Sequence, residues 1–268
     1  NSPEWVREAV IAGGGHIVEP ADASAIVWTA ARNASGLREV LDANAHLEWV
    51  QVPFAGIENF VPILDDSRIW TCGKGVYAEP VAEHALALAL AGMRHISSYS
   101  RANQWTGPAG RNLLGAAVTI VGGGGITESL VRLLRPFNCS ITVVRRTVEN
   151  IDGVDTVVGQ ENLIDALVGA DVVFLALSLT PETVGLIGKP ELEVMEPHAW
   201  IINVARGGHA VRHAHRSKHD RWLSRDRPHA GCDPRRGGRH GFSRGRLPHP
   251  CARMGTHRGP TPRDREGP

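Results

Sequence analysis

The run Gly122-Gly123-Gly124-Gly125-Ile126-Thr127 stands between a strand-like and a helix-like segment, where backbone N–H groups can be turned toward an anion. Gly122 and Gly124 occupy the first two places of G-x-G-x-x-G. The first allows a tight turn, the second lets the backbone approach a pyrophosphate, and Gly125 and Ile126 open a helix whose free N–H groups favour negative charge. Thr127 takes the third glycine's place, which normally serves helix–strand packing. The same glycines would also suit a plain tight turn, so the surrounding elements decide. Arg145 and Arg146 end the next strand-like run, where a site for an unphosphorylated ribose would place Asp or Glu as acceptor. A guanidinium there neutralises a 2′-phosphate, so NADP(H) is expected over NAD(H). Two solvated arginines are the plainer alternative. Arg206, in Asn203-Val204-Ala205-Arg206-Gly207-Gly208, follows another apolar run and could grip a carboxylate with both arms of its guanidinium. In isolation it is equally a structural or exposed arginine.

Such residues need strands to deliver them to one edge. Segments 118–121, 141–144, 154–158, 171–177 and 200–204 are β-branched and almost uninterruptedly apolar, as parallel strands covered on both faces require. A helix following the glycines runs to Leu134 and stops at Pro136. Upstream, an amphipathic helix over 3–11, strands at 17–18, 25–28 and 47–52, and a helix over 35–43 alternate in the same way. The helical pattern over 79–104 is apolar nearly all round at its start, which predicts a buried or interface helix. The implied fold is α/β with a doubly wound parallel sheet.

The formal charge of +1 is a cancellation. Residues 1–208 carry 14 basic and 23 acidic side chains (14 − 23 = −9), and residues 209–268 carry 15 and 5 (15 − 5 = +10). Val, Ile, Leu, Phe, Met and Trp number 6 in the last segment against 14 Arg and 8 His, too little apolar surface to offset the entropy of ordering it. Residues 209–268 are therefore expected to form a basic, disordered tail. Cys72, Cys139, Cys232 and Cys251 make no C-x-x-C pair, which suggests neither a disulfide framework nor a zinc ribbon and fits a reducing cytoplasm. Neither a signal peptide nor a stretch near the ~20 apolar residues of a membrane span is visible. The chain opens on Asn1 rather than Met, from which an upstream natural start is expected.

Residues 1–208 resemble the D-isomer-specific 2-hydroxyacid dehydrogenase family through five motifs in order: Phe54-Ala55-Gly56-Ile57-Glu58-Asn59, Val81-Ala82-Glu83-His84, the Gly122 turn, Leu179-Thr180-Pro181-Glu182-Thr183 and Asn203-Val204-Ala205-Arg206-Gly207. The resemblance implies a flavodoxin-like substrate domain over 1–84, a Rossmann nucleotide-binding domain over 85–208, and a homodimer. It also implies hydride transfer between a nicotinamide and the 2-keto or 2-hydroxy carbon of a small acid such as glyoxylate or hydroxypyruvate, with phosphoglycerate as runner-up. By motif position, Ala55 and Gly56 would offer N–H groups to the substrate carboxylate and Arg206 would bind and polarise the keto acid. Thr180, Pro181, Val204 and Ala205 would line the nicotinamide. Glu83 and His84 would belong to the domain-connecting helix in a structural role.

The family completes its site with a Glu and then a His, the general acid toward the carbonyl oxygen, and neither stands in its motif here. None of the tail's histidines, among them His229, His240, His249 and His257, takes that place. Read one base later, the codons of 221–234 permit Asp-Gly-Ser-Leu-Gly-Ile-Gly-x-Thr-Leu-Asp-Val-Thr, the family's expected strand and its approach, and the codons of Arg236 and Gly237 then permit Glu. Residues from about His209 onward are thus expected to be an out-of-frame translation. Two rival readings of the tail remain. A basic arm could bind nucleic acid, though only Trp222 and Phe242 could stack on bases. A metal site from His229, Cys232, His249 and Cys251 lacks paired spacings, so no metal is expected. For the chain as a whole, the alternative to an enzyme is a catalytically inactive dinucleotide sensor, corepressor-like, that keeps the Gly122 turn without turnover.

Overall fold

A computed structural model describes residues 2–210 and the backbone of 222–224. The N-terminal body is a three-stranded parallel sheet in the order β1 (Ala25–Val27), β2 (Trp49–Val52), β3 (Ile69–Cys72), with helices α1 (Glu4–Ala12) and α2 (Ala34–Ala43). Asn33 caps α2 by accepting from the Gly36 N–H at 2.9 Å, satisfying one of the free donors of the first turn. The helical spacing of Leu37 and Leu41 then buries both with Leu47, Val50, Val52 and Phe60. Residues 17–18 do not form the expected strand. Ile17 and Val18 are exposed, because two apolar residues ahead of a turn at Pro20–Asp22 bury too little surface to hold a pairing. β3, which periodicity did not mark, forms beside β2 on a half-buried surface.

The second body begins with α3 (Ala78–Met93). The helix expected to reach residue 104 ends here, because His95 enters the left-handed region at φ 53° before the short α4 (Ile96–Tyr99). Small residues Ala82, Ala85 and Ala89 let α3 lie close against its neighbours, and a Cβ on Gly92 would meet the Trp200 ring at 2.6 Å. The sheet that follows is entirely parallel: β4 (Ala117–Val121), β5 (Ser140–Val144), β6 (Thr156–Val158), β7 (Val172–Leu175), β8 (Trp200–Asn203) and β9 (Trp222–Ser224). Their order is β6-β5-β4-β7-β8-β9. Helix α5 (Gly125–Leu134) follows β4, α6 (Leu163–Leu167) precedes β7, and α7 (Lys189–Val194) precedes β8. Val118, Ile120, Val143 and Phe174 face one core with α3 and α5, while Val121, Val144, Val173 and Leu175 face the other with α6 and α7. That two-sided burial is why these strands lack alternation.

The strand order reverses between β4 and β7, and ligands of such sheets bind outside the carboxyl ends of the strands at that point. The fold continues past the compositional boundary at 208. His209 is fully buried, Ala210 bridges Ile187, and β9 pairs with β8 from the Ile201–Trp222 register. The remainder of the expected disordered tail, with His229, Cys232, His249 and Cys251, at which no metal is expected, lies outside the described residues. Among the described residues no helix is long and apolar enough to cross a membrane.

Candidate active site

The glycine turn lies at the β4–β7 switch point. Gly122 donates its N–H to Val144 O at 2.8 Å and has φ +120°, and a Cβ on it would stand 2.3 Å from Ala176 O. Both facts demand glycine. Gly124 is the N-cap of α5 in extended conformation, and a Cβ there would meet no atom within 4 Å. The turn is therefore open where a phosphate would approach, with Gly125 and Ile126 opening a helix whose first N–H groups have no intrahelical acceptor. Thr127 is wholly buried and donates its hydroxyl to Gly122 O at 2.9 Å. The residue that departs from the glycine pattern thus stitches the turn together.

Arg145 and Arg146 leave β5 beside this turn. The Arg145 N–H donates to Val158 O at 3.0 Å, and its side chain lies over Gly123, where a Cβ would be 2.8 Å from Nε. Its Nη2 is 3.8 Å from Glu149 Oε2. Arg146 is exposed, and its charge reaches Glu182 in the loop after β7. A hydrogen bond with Thr180 chiefly holds the Glu182 carboxyl below its ordinary range, and Arg146 adds to this. Arg146 thus lies within electrostatic reach of the Thr180-Pro181 loop, while Arg145 covers Gly123.

That loop is tied by threonines. The Thr180 N–H donates to Thr183 Oγ1 at 2.8 Å, and the Thr183 hydroxyl donates to Ser178 O at 2.9 Å. It is joined to the loop after β8 by Gly185 N–H to Gly208 O at 2.8 Å, by Ile187 N–H to His209 O at 2.9 Å, and by His209 Nδ1 to Thr183 O at 3.0 Å. Val204 and Ala205 are buried within the loop after β8. The buried Asn203 amide accepts from the Ala205 N–H at 3.0 Å and donates to Arg206 O at 2.9 Å, which fixes where Arg206 starts.

From there Arg206 reaches the N-terminal body. Its Nη2 would lie 1.6 Å from a Cβ on Gly56, so the guanidinium rests directly on that glycine. Ala55 is exposed, and among the described residues the N–H groups of Ala55 and Gly56 have no hydrogen-bond partner. Three groups assigned to carboxylate binding are thus brought together. Two features were not read from the sequence. Glu58 faces Arg206, with Nε to Oε1 at 3.4 Å and Nη2 to Oε2 at 3.5 Å, a carboxylate two places beyond the glycine that could have signalled it. Phe54 and Tyr77 stand as a tilted ring pair with centroids 5.7 Å apart. Glu83 and His84 are exposed on α3. Among the described residues no group of three or more His, Cys, Asp or Glu could hold a metal, and Cys72 and Cys139 are free thiols.

The model of the D-isomer specific 2-hydroxyacid dehydrogenase NAD binding domain matches residues 84–215. An uncharacterized protein from Corynebacterium melassecola is 31% identical over 209 residues, covering 74% of this chain and 67% of that one. A glyoxylate reductase from Pyrococcus furiosus is 31% identical over 144 residues, 49% of this chain and 43% of that protein. Among solved structures, a D-isomer specific 2-hydroxyacid dehydrogenase from Xanthobacter autotrophicus Py2, in complex with NADPH and MES, is 25% identical with a TM-score of 0.63, covering 76% of this chain and 65% of that one. The chain thus spans less than half of the Pyrococcus reductase.

Proposed function

The chain belongs to the D-isomer specific 2-hydroxyacid dehydrogenase family, and from that premise we propose that it acts on a small 2-keto or 2-hydroxy acid such as glyoxylate or hydroxypyruvate, with NADP(H) preferred over NAD(H). The observation that carries this reading is Arg206 resting on Gly56 beside the unpartnered Ala55 and Gly56 amides. A guanidinium and two N–H donors together make a seat for one carboxylate. The open turn at Gly124 and the helix that follows it fit a dinucleotide pyrophosphate, and the bound nicotinamide would supply a hydride donor or acceptor. Gly122, Gly124, Gly125 and Ile126 would hold the phosphates, and Arg145 with Arg146 would neutralise a 2′-phosphate. Thr180, Pro181, Val204 and Ala205 would border the ring.

Arg206 would orient the acid and draw electron density toward its keto oxygen. The proton for that oxygen needs a donor, and the family's Glu and His are absent from their motif. Losing that donor costs on the order of 10²- to 10⁴-fold in rate. A carboxylate–imidazole pair does exist, His198 Nε2 to Asp171 Oδ1 at 2.7 Å, but Asp171 precedes β7 and so stands at the opposite edge of the sheet. This supports a second reading, a dinucleotide-binding sensor without turnover. The chain from about His209 onward is read as a shifted frame, the cysteine usage fits a reducing cytoplasm, and the family premise implies a homodimer.

Titration with NADPH and NADH, followed by glyoxylate and hydroxypyruvate turnover, tests the proposal. Tighter NADPH binding with very slow turnover is expected. Equal or tighter NADH binding overturns the cofactor assignment, and rapid turnover overturns the loss of the proton donor. The DNA around codon 208 tests the frame: a single-base shift must recover the family's Glu and His.

A further inference from the structure

We propose that Glu58 is a specificity-determining residue that sets the charge of the acid this site accepts, competing with the substrate carboxylate for Arg206; the proposal rests on the carboxylate-seat reading given above. Arg206 presents two adjacent donors, Nε and Nη2, to Glu58 at 3.4 and 3.5 Å, while Nη1 donates to Ala205 O at 3.1 Å. The forked edge that a substrate carboxylate would use is therefore facing a carboxylate of the protein itself. Glu58 is also part of the seat by position. Its Oε2 would lie 2.8 Å from a Cβ on Gly56, the glycine on which Arg206 rests.

Both contacts lie at the long limit for hydrogen bonds, and the two side chains are 41% and 35% exposed. A pair of this kind is weak and solvent-screened, so a substrate carboxylate can displace Glu58. Displacement does not remove the charge. Arg206 and Glu58 sum to zero, so a monoanionic acid brings the seat to −1 and a dianionic acid to −2. Within several ångströms at intermediate dielectric, the extra repulsion amounts to about a three- to tenfold loss in affinity. The site should thus select small monocarboxylic keto or hydroxy acids and resist those bearing a second carboxylate or a phosphate.

The test uses the full chain with glycolate, a monoanion, and tartronate, its dianionic counterpart, each titrated by calorimetry against wild type, Glu58→Gln, Glu58→Ala and Glu58→Asp. Wild type and E58D are expected to prefer glycolate. E58Q and E58A are expected to bind both acids more tightly and to raise the tartronate-to-glycolate affinity ratio about three- to tenfold. An unchanged ratio in both charge-removing variants, with glycolate still binding, overturns the role of Glu58 and leaves the carboxylate seat standing. Failure of all four proteins to bind either acid overturns the seat and the role of Glu58 together.

Discussion

Asn203 and Arg206 are joined through a single side-chain amide: Asn203 Nδ2 donates to the Arg206 carbonyl at 2.9 Å while its Oδ1 accepts from the Ala205 N–H at 3.0 Å. Asn203 is the last residue of β8 and is buried, so the rigid sheet is extended by three residues into the loop that aims the guanidinium. Asn203→Ala leaves a buried N–H and C=O short of partners. It should cost about 1–3 kcal/mol in denaturant unfolding and weaken glycolate binding with Arg206 itself intact. Unchanged stability would instead assign the loop's shape to the backbone bonds from Gly185 and Ile187.

Restoring the family's third glycine should harm this protein. Thr127 is fully buried and its hydroxyl closes the turn onto Gly122 O at 2.9 Å. Thr127→Gly removes that bond and a packed methyl and adds helix-forming entropy cost, together about 2–3 kcal/mol. Thr127→Val keeps the shape and loses only the hydrogen bond, about 1 kcal/mol. Thermal unfolding of both variants checks the order; a Gly variant as stable as wild type refutes it.

The β4–turn–α5–β5 unit was legible because its strands are buried on both faces and its glycines stand between a strand and a helix. Three local features were not. β3 is short and half-buried, the pair Ile17-Val18 is strand-like in type but has no neighbour, and the break of α3 depends on a left-handed His95 rather than on Gly or Pro. The composition boundary missed His209 by one residue, since burial of one histidine between two loops leaves no mark on an average. The carboxylate seat was legible as separate motifs. The pairing of Glu58 with Arg206 was not, because 148 positions separate them and only the fold brings the two sheets' loops together.

Asp171 holds the edge of the sheet remote from the glycine turn. Its Oδ2 accepts from the Ala117 N–H at 2.9 Å, its Oδ1 faces His198 Nε2 at 2.7 Å and Arg111 Nη2 at 3.2 Å, and its carbonyl accepts from the Trp200 N–H at 3.0 Å. One residue, through its side chain and its carbonyl, therefore clamps the starts of β4, β7 and β8. Asp171→Ala should cost about 1–3 kcal/mol, since it strips an acceptor from a strand N–H and from the part-buried His198 ring. His198→Ala should cost about 1 kcal/mol. NADPH affinity of the folded variants should match wild type, and a loss of affinity without a loss of stability would show that this pair bears on the nucleotide site after all.

Asp65 gives the N-terminal body an acid-sensitive joint. Burial pushes its carboxyl up, but hydrogen bonds from Ser67 and Arg68 and the Arg68 charge outweigh this and hold it below its ordinary value. Arg68, in turn, is largely buried and donates through Nε to Leu47 O at 3.1 Å and through Nη2 to Leu41 O at 3.5 Å, tying the end of α2 to β2's approach. A depressed carboxyl contributes stability that is complete above its unfolded pKa and is lost as pH falls through the folded one. Asp65 is about a third exposed, so the contribution is screened to about 0.5–1 kcal/mol. Asp65→Asn should therefore be less stable than wild type by that amount at neutral pH, with the gap closing as pH drops through and below the ordinary carboxylate range. Urea unfolding of both proteins across that range measures it, and a gap that widens on acidification would mean that Asp65 is better off protonated in the folded chain.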